Sequence, residues 1–166
     1  INLIHEIDTL RYICGEIESV YALTASDIRN YDVEESANVT IKFTSGVLGS
    51  VVASDAVPSP WSYEMTTGEN PDFYHVDENC CFFFGSQGSF AFPKMDLWHF
   101  ERTELAAWQH PIQKQTLPVE RNDPLTAQLA HFCQVVRGEE PPVVSGEDGL
   151  ATLAATLAIL ESAEKN

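Results

Sequence analysis

The sequence predicts an α+β domain built on an open, mainly antiparallel β-sheet, with helices packed on one of its faces. An apolar helical stripe opens the chain, strand-like alternation follows to about residue 119, and two more helical stripes end it. Helices that are segregated along the chain from antiparallel strands are typical of this class. The 166 residues are enough for a real core. We therefore expect a single domain over the whole chain.

The first element is a helix over residues 3–14. Its apolar residues repeat at intervals of four, three and four, and so form one stripe: Leu3, Ile7, Leu10 and Cys14. Gly15 is placed to end the helix as a left-handed cap. On a helical wheel, His5, Asp8 and Tyr12 fall opposite the stripe. We expect all three to point away from the sheet, towards solvent or another domain.

Alternating apolar and polar side chains predict the strands. Residues 37–43 alternate cleanly, and Ser45-Gly46 forms the turn into a run over 47–53, which predicts an antiparallel hairpin. A second hairpin is expected over 81–92, around a turn at 85–88. Further extended segments are expected at 61–66, 95–100 and 114–119.

Two helices are predicted at the end of the chain. Asp123 and Pro124 supply an N-cap and a first helical residue, and Gly138 ends that helix. Ser145 with Asp148 resembles a capping box before the last helix. The two apolar stripes are Leu125, Leu129, Phe132 and Val136, then Leu150, Leu153, Leu157 and Leu160. Together with the first helix, we expect these stripes to cover one face of the sheet.

Charge and composition exclude several classes of partner. The chain has 9 Lys and Arg against 25 Asp and Glu, a net charge of −16. Such a surface repels nucleic-acid phosphates and anionic lipid headgroups. No apolar run approaches the ~18 residues that a membrane span requires. Four cysteines are too few for a disulfide scaffold and indicate reduced thiols in the cytoplasm. The apolar start at Ile1 leads us to expect a piece of a longer protein.

The polar face of the first helix is one candidate site. A histidine exchanges protons near neutral pH, so His5 can take a proton from a substrate hydroxyl or return it. Asp8 can orient His5 or balance its charge. The alternative is an ordinary solvated helix face.

The segment 59–78 is a second candidate, because long loops with aromatic and amide side chains often form the walls of ligand sites. Substrate contacts are expected from Trp61, Glu69, Asn70, Tyr74 and His75. The alternative is a solvated connection with a few anchoring aromatics. No metal site is predicted, because His75, Asp77, Glu78, Cys80 and Cys81 lack the usual ligand spacings. Gly85–Gly88 joins two strands and is interpreted as a turn, not a phosphate-binding loop.

Several segments together resemble a known family. The segment from Asn2 to Tyr12, with Gly15 and Glu16 after it, is similar to the start of the C-terminal domain of the Gfo/Idh/MocA oxidoreductases, relatives of glucose–fructose oxidoreductase and inositol dehydrogenase. The similarity continues through Val20, Thr44–Gly49, Ser59–Trp61, Thr67–Pro71, Gly85–Phe90, Asp123–Leu125, Gln128–Phe132, Val136–Gly138 and Pro142–Ser145.

The resemblance implies an N-terminal Rossmann domain that binds NAD or NADP and that is absent from this chain, which itself is expected to bind no cofactor. It implies hydride transfer at a CH–OH group of a sugar, polyol or similar compound. The family's usual acid/base histidine corresponds to His5. The acidic residue that normally stands four positions earlier is replaced by Ile1, and Asn2 beside it cannot titrate. His5, Asn2 and Asp8 are the candidate catalytic residues.

Two other functions stay open at this stage: a non-catalytic regulatory or assembly protein of the same fold, and a nicotinamide-dependent glycosidase. Assembly is also predicted. Phe82 and Phe84 share one face of their strand with Cys80, while Cys81 and Phe83 share the other, so both faces carry apolar groups. We expect a homodimer or higher homo-oligomer through the sheet. The alternative is that residues 101–122 fold back and cover the patch.

Overall fold

The computed structural model describes residues 3–29, 31–120 and 122–166. The chain forms two compact units, the first unit of Ile1–Pro58 with Pro141–Asn166 and the second unit of Ser59–Glu140. The single domain that the sequence predicts stays a prediction. In chain order the elements are α1 (Leu3–Cys14), β1 (Ile17–Ala25), β2 (Ser36–Phe43), β3 (Leu48–Ser54), α2 (Tyr63–Thr67), β4 (Cys81–Phe84), β5 (Ser89–Phe92), β6 (Asp96–His99), a 3₁₀ turn (Thr103–Leu105), β7 (Gln113–Thr116), α3 (Pro124–Arg137) and α4 (Gly146–Glu164).

The first unit is a three-stranded antiparallel sheet, in the order β1-β2-β3, with a core shared by α1 and α4. The alternation predicted for 37–43 is confirmed: Val39, Ile41 and Phe43 are buried, while Asn38, Thr40 and Lys42 are exposed. The face of β2 that carries these buried alternate residues therefore packs against α1 and α4. The core consists of Ile7, Ala22, Val39, Ile41, Phe43 and Ile159.

Helix α4 packs on β1 through Ile159 and smaller side chains, not through its leucine stripe. Thr152 and Ile159 are buried, and Ala155 and Ala163 pack against the core. The Ser162 hydroxyl accepts a hydrogen bond of 3.0 Å from the Ala22 amide. The leucines expected to face the sheet are exposed instead: Leu150, Leu153, Leu157 and Leu160. The expectation was wrong because close helix–strand approach favours small groups at the contact.

The second unit contains a four-stranded antiparallel sheet in the order β4-β5-β6-β7. The α+β class, the antiparallel pairing and both predicted hairpins are confirmed. The described strands form two sheets, however, rather than the one sheet expected. The chain between β3 and β4 contains Pro58 and Pro60, which have no amide to donate to a strand ladder.

Helix α3 begins and ends where the sequence predicts. The Asp123 carboxylate accepts hydrogen bonds from the Leu125 and Thr126 amides, and Gly138 ends the helix with a φ of 73°. Its apolar stripe does not cover a sheet, because all four members are exposed: Leu125, Leu129, Phe132 and Val136. The prediction that three stripes pack on one sheet face is therefore wrong for α3.

Candidate functional site

Helix α1 presents His5 as predicted. The apolar stripe of α1 packs against the core, with Ile7 fully buried, and the helix ends where the Gly15 amide bonds to the Arg11 carbonyl at 2.9 Å. His5 and Tyr12 are exposed on the other side. Their exposure follows from the stripe, because burial of one face turns the opposite face outward. Asn2, the other candidate beside His5, lies outside the described residues.

Asp8 is partly exposed, with 40 % of its side chain accessible, and its carboxylate also contacts α4. Its Oδ1 accepts a hydrogen bond of 2.6 Å from the Thr152 hydroxyl of α4, and it lies 3.9 Å from Nη1 of Arg11. The carboxylate is therefore directed towards α4. Within the described chain, none of the hydrogen bonds or ion pairs joins Asp8 to His5.

Arg11 is a buried charge that sequence reasoning did not select. It is only 8 % exposed. Its Nη1 donates to the Asp148 carbonyl at 2.8 Å and to Thr152 Oγ1 at 2.6 Å, and its Nε and Nη2 bind the Glu16 carboxylate. The hydrogen bond to Glu16 raises the pKa of Arg11, although burial opposes the charge. The sequence signal that could have identified Arg11 is Glu16, an acidic residue five positions later, just after the end of the helix.

The second candidate region begins with a short helix, not with an extended segment. The Ser62 hydroxyl caps α2 by accepting from the Met65 amide, and Gly68 ends it with a φ of 63°. The loop then returns, so that the Val76 amide donates to the Met65 carbonyl at 2.8 Å and His75 Nε2 lies 3.2 Å from the Thr66 carbonyl oxygen. The extended segment that the alternation predicted at 61–66 is wrong. A helix of one turn is specified by its N-cap and its terminating glycine, and it is too short to show a helical period.

All five predicted loop residues lie at the surface: Trp61, Glu69, Asn70, Tyr74 and His75. The Glu69 carboxylate accepts from the Tyr63 hydroxyl at 3.1 Å, and Asn70 Oδ1 accepts from the Asp72 amide at 3.0 Å. Burial, together with Glu69, raises the pKa of Tyr63 to about 12. Glu69 and Asn70 are thus held in fixed positions.

His75 is held against the backbone of the same loop. A Cβ atom on Gly68 would lie 3.1 Å from Cδ2 of His75, so the ring packs closely against Gly68, whose φ of 63° also favours glycine. A carbonyl oxygen only accepts, so Nε2 of His75 carries the proton that binds Thr66. The ring therefore anchors the loop to the end of α2.

The second unit also has a cavity of about 150 Å³ at one end of its sheet. It lies between the Gly85–Gly88 turn and Trp98, His99 and Thr103. None of the predicted site residues lines it. In the described part of the chain, no group of three or more His, Cys, Asp or Glu side chains is placed to hold a metal ion. The helices described here include none that is long and apolar enough to cross a membrane.

Solved structures share this fold at low sequence identity. yvaA from Bacillus subtilis, classed as an oxidoreductase, has a TM-score of 0.71 at 14 % identity, over 98 % of this chain and 49 % of its own. The UDP-N-acetylglucosamine 3-dehydrogenase GnnA from Acidithiobacillus ferrooxidans has 0.67 at 18 %, over 98 % and 47 %. The WlbA dehydrogenase from Bordetella pertussis, solved with NADH and UDP-GlcNAcA, has 0.58 at 18 %, over 99 % and 41 %.

The chain thus spans less than half the length of each of these structures. No curated protein matches it. The family model described as the GFO/IDH/MocA C-terminal domain matches residues 2–91, which is more than half of the chain. The match includes α1 and both strands of the β2–β3 hairpin. The chain belongs to the GFO/IDH/MocA family, of which it carries the C-terminal domain.

Proposed function

We propose that this chain is the substrate-side half of an NAD(P)-dependent oxidoreductase that acts on a CH–OH group of a sugar, polyol or related compound. The match to the family's C-terminal domain over residues 2–91 carries the proposal. Among the structural relatives, GnnA is named for a dehydrogenase acting on UDP-N-acetylglucosamine, and WlbA was solved with NADH and UDP-GlcNAcA. Both are dehydrogenases of nucleotide-linked sugars. Location in the cytoplasm stays a prediction.

The dinucleotide itself is proposed to bind elsewhere in the complete protein. The strand pairs in the described residues are antiparallel, and the sequence has no G-x-G-x-x-G turn. A parallel βαβ unit normally presents the helix N-terminus that holds the pyrophosphate. The residues of this chain do not fit such a site.

The step of the reaction that we propose for this chain is the transfer of the substrate's hydroxyl proton. Alcohol oxidation removes a hydride from carbon and a proton from oxygen, and a nicotinamide supplies the hydride acceptor. His5 is an exposed imidazole on a helix fixed by the buried Ile7. A neutral ring nitrogen accepts the hydroxyl proton in oxidation and returns it in reduction.

The loop of the second unit is proposed to contact the substrate. Trp61 and Tyr74 expose aromatic rings, whose faces pack on the C–H groups of a sugar ring. Glu69 accepts from sugar hydroxyls, and it keeps its position because Tyr63 already donates to it. Asn70 uses its oxygen in the local turn, so its amide nitrogen would serve the ligand.

The test is substitution of His5→Ala in the complete protein, assayed with NAD and NADP against a panel of sugars and nucleotide sugars. We expect kcat to fall by about 10²–10⁴, the range for a positioned acid or base. His110→Ala, which removes an exposed histidine from the second unit, is the matched control. Turnover of the His5 variant within a few-fold of the native protein would refute the role. Nitrophenyl glycosides in the same assay detect a glycosidase instead.

We further propose that the four-stranded sheet joins two copies of the chain. The register places Phe82, Ala91, Asp96 and Thr116 in one row and Phe84, Ser89, Trp98 and Lys114 in the next, on the same face. Phe82 and Phe84 are exposed on this face, and Trp98 in the same row as Phe84 is partly exposed, whereas Ala91 is buried. A two-fold axis would pack these exposed rings of one copy against those of the other.

The assembly proposal is tested by sedimentation of the chain at micromolar concentration. We expect a dimer, and Phe84→Asp should return it to a monomer near 18.4 kDa without unfolding. Leu48→Asp, an equally exposed apolar side chain of the first unit, is the control that should leave the dimer intact. The described part of 101–122 leaves Phe82 and Phe84 exposed, so intrachain cover is not observed. A native chain that sediments as a monomer would refute the proposal.

A further inference from the structure

The polar contact between α1 and α4 is a closed set of hydrogen bonds, here named the Asp8 junction and consisting of Asp8, Arg11, Glu16 and Thr152. The Thr152 hydroxyl donates to Asp8 Oδ1 at 2.6 Å and accepts from Arg11 Nη1 at 2.6 Å. Thr152 and Arg11 are both buried. Because a buried polar group without a partner is costly, Arg11 and Thr152 depend on the partners that they bind in the junction.

Glu16, rather than Asp8, is the main charge partner of Arg11. Glu16 binds the guanidinium at two points, 3.1 Å from Nε and 2.6 Å from Nη2, whereas Asp8 is 3.9 Å from the nearest guanidinium nitrogen. The short contact of Asp8 is with a neutral hydroxyl. The shortest contact of Asp8 in the junction therefore uses it as an acceptor oxygen, and its ion pair with Arg11 is the longer contact.

Asp8 also lies three residues after His5, a spacing at which helical side chains can meet. In the structure, Oδ1 of Asp8 accepts from Thr152 of α4, and none of the described hydrogen bonds or ion pairs joins Asp8 to His5. The same bond holds α1 against α4 one helical turn from His5. Small changes in the placement of a reacting group reduce rates strongly.

We propose, resting on the function proposed above, that Asp8 is a positioning residue. Its oxygen locks α1 to α4 through Thr152 and so fixes the direction of His5, and it does not exchange the substrate proton. A member of a proton relay needs its charge, whereas a positioning oxygen does not. Asparagine keeps the oxygen and removes the charge, so the two roles separate at this position.

The experiment compares Asp8→Asn, Asp8→Ala, Thr152→Ser and Thr152→Val in the complete protein, with kcat, KM, melting temperature and the pH profile of kcat as readouts. Asp8→Asn and Thr152→Ser keep the hydrogen bond, and we expect kcat within about 3-fold of the native value and an unmoved pH profile. Asp8→Ala and Thr152→Val break it, and we expect kcat to fall by about 10- to 100-fold. The double variant Asp8→Ala/Thr152→Val should be no worse than either single one.

Asp8→Asn and Thr152→Ser keep the hydrogen bond and are expected to fold. The test therefore gives a result even if Asp8→Ala and Thr152→Val do not fold. A loss of 100-fold or more in Asp8→Asn, or a shift of its pH profile by about one unit at an unchanged melting temperature, would assign Asp8 to the proton relay and overturn the proposal. Additive losses in the double variant would also overturn it. Failure of the proposed function is separate, because it is read from His5→Ala alone.

Discussion

The two units of the chain bury their apolar side chains very differently. Among the described residues, the buried hydrophobic side chains of the first unit are Ile7, Ala22, Val39, Ile41, Phe43 and Ile159, whereas the second unit has Ala91. Helices α1 and α4 close one face of the first sheet. In the second unit, the phenylalanines of β4 alternate between half-buried and exposed. The comparison shows that an apolar sequence can predict a strand, whereas burial of its side chains requires a helix or a second sheet packed against it.

The largest expected effect separates the two units directly. Phe43→Ala empties a fully buried site that packs against Gly49, and we expect it to lower the free energy of unfolding by about 3–5 kcal/mol. Phe84→Ala removes the same ring from a side chain that is 82 % exposed, and we expect a change within about 0.5 kcal/mol.

Both variants are measured by urea unfolding, at a concentration where the chain is monomeric. Similar losses would mean that Phe84 is covered within the chain, and the contrast between the units would fail.

The fold was predictable where a local signal was complete. Helix α1 has a four-membered stripe and a terminating Gly15, and the β2–β3 hairpin has clean alternation and a Gly46 turn with a φ of 86°. Strand β1 was not specified as an element, because its residues Ile17–Ala25 alternate weakly. Helix α2 was missed, because its five residues depend on Ser62 and Gly68 rather than on periodicity.

The candidate site was predictable only in its exposed part. The wheel identified His5 because exposure follows from the stripe on its own helix. Arg11 and Thr152 are 141 residues apart, and only folding brings them together. Periodicity also selected the leucines of α4, whereas the packed face is the one with Thr152 and small residues, since their size permits close approach to β1.

A smaller effect concerns Glu35, which adds a buried charge to the first unit. The carboxylate is 2 % exposed and accepts from the Ile28 amide at 2.7 Å, from the Arg29 amide at 2.5 Å and from the Arg29 guanidinium at 3.1 Å. Burial opposes its ionisation, but these hydrogen bonds prevail and hold its pKa below the ordinary 4.5. Stability from this group is therefore present above pH 4.5 and is lost as the pH falls through the lower folded-state pKa.

Glu35→Gln should therefore melt lower than the native chain at pH 7, and the gap should close on acidification below about pH 4.5. Thermal melts across pH 7 to 3 give the measurement. Glu18→Gln is the control, because its carboxylate is half exposed and pairs with Lys42 in the same unit. A difference in melting temperature that stays constant with pH would show that the carboxylate charge of Glu35 does not stabilise the segment of Ile28 and Arg29 that it binds.

The smallest effect tests whether the contrast extends to the helices. Ser145→Ala removes the hydroxyl that accepts from the Asp148 amide at 3.1 Å in the capping box of α4, and leaves the backbone amide that donates to the Asp148 carboxylate at 2.9 Å. Asp123→Ala removes the N-cap of α3. Each cap contributes about 1 kcal/mol to its own helix.

Helix α4 shares the buried core, and its first turn binds the guanidinium of Arg11, whereas the apolar stripe of α3 is exposed. Loss of the α4 cap should therefore lower the global free energy of unfolding by that amount. Loss of the α3 cap should instead accelerate amide exchange in the first turn of α3 and leave the unfolding midpoint unchanged, because a helix that opens locally does not report on the cooperative unit. Hydrogen exchange and urea unfolding of both variants measure the two quantities. An equal shift of the midpoint in both would show that α3 unfolds with a packed core, and the exposed stripe would then need a partner within the native chain.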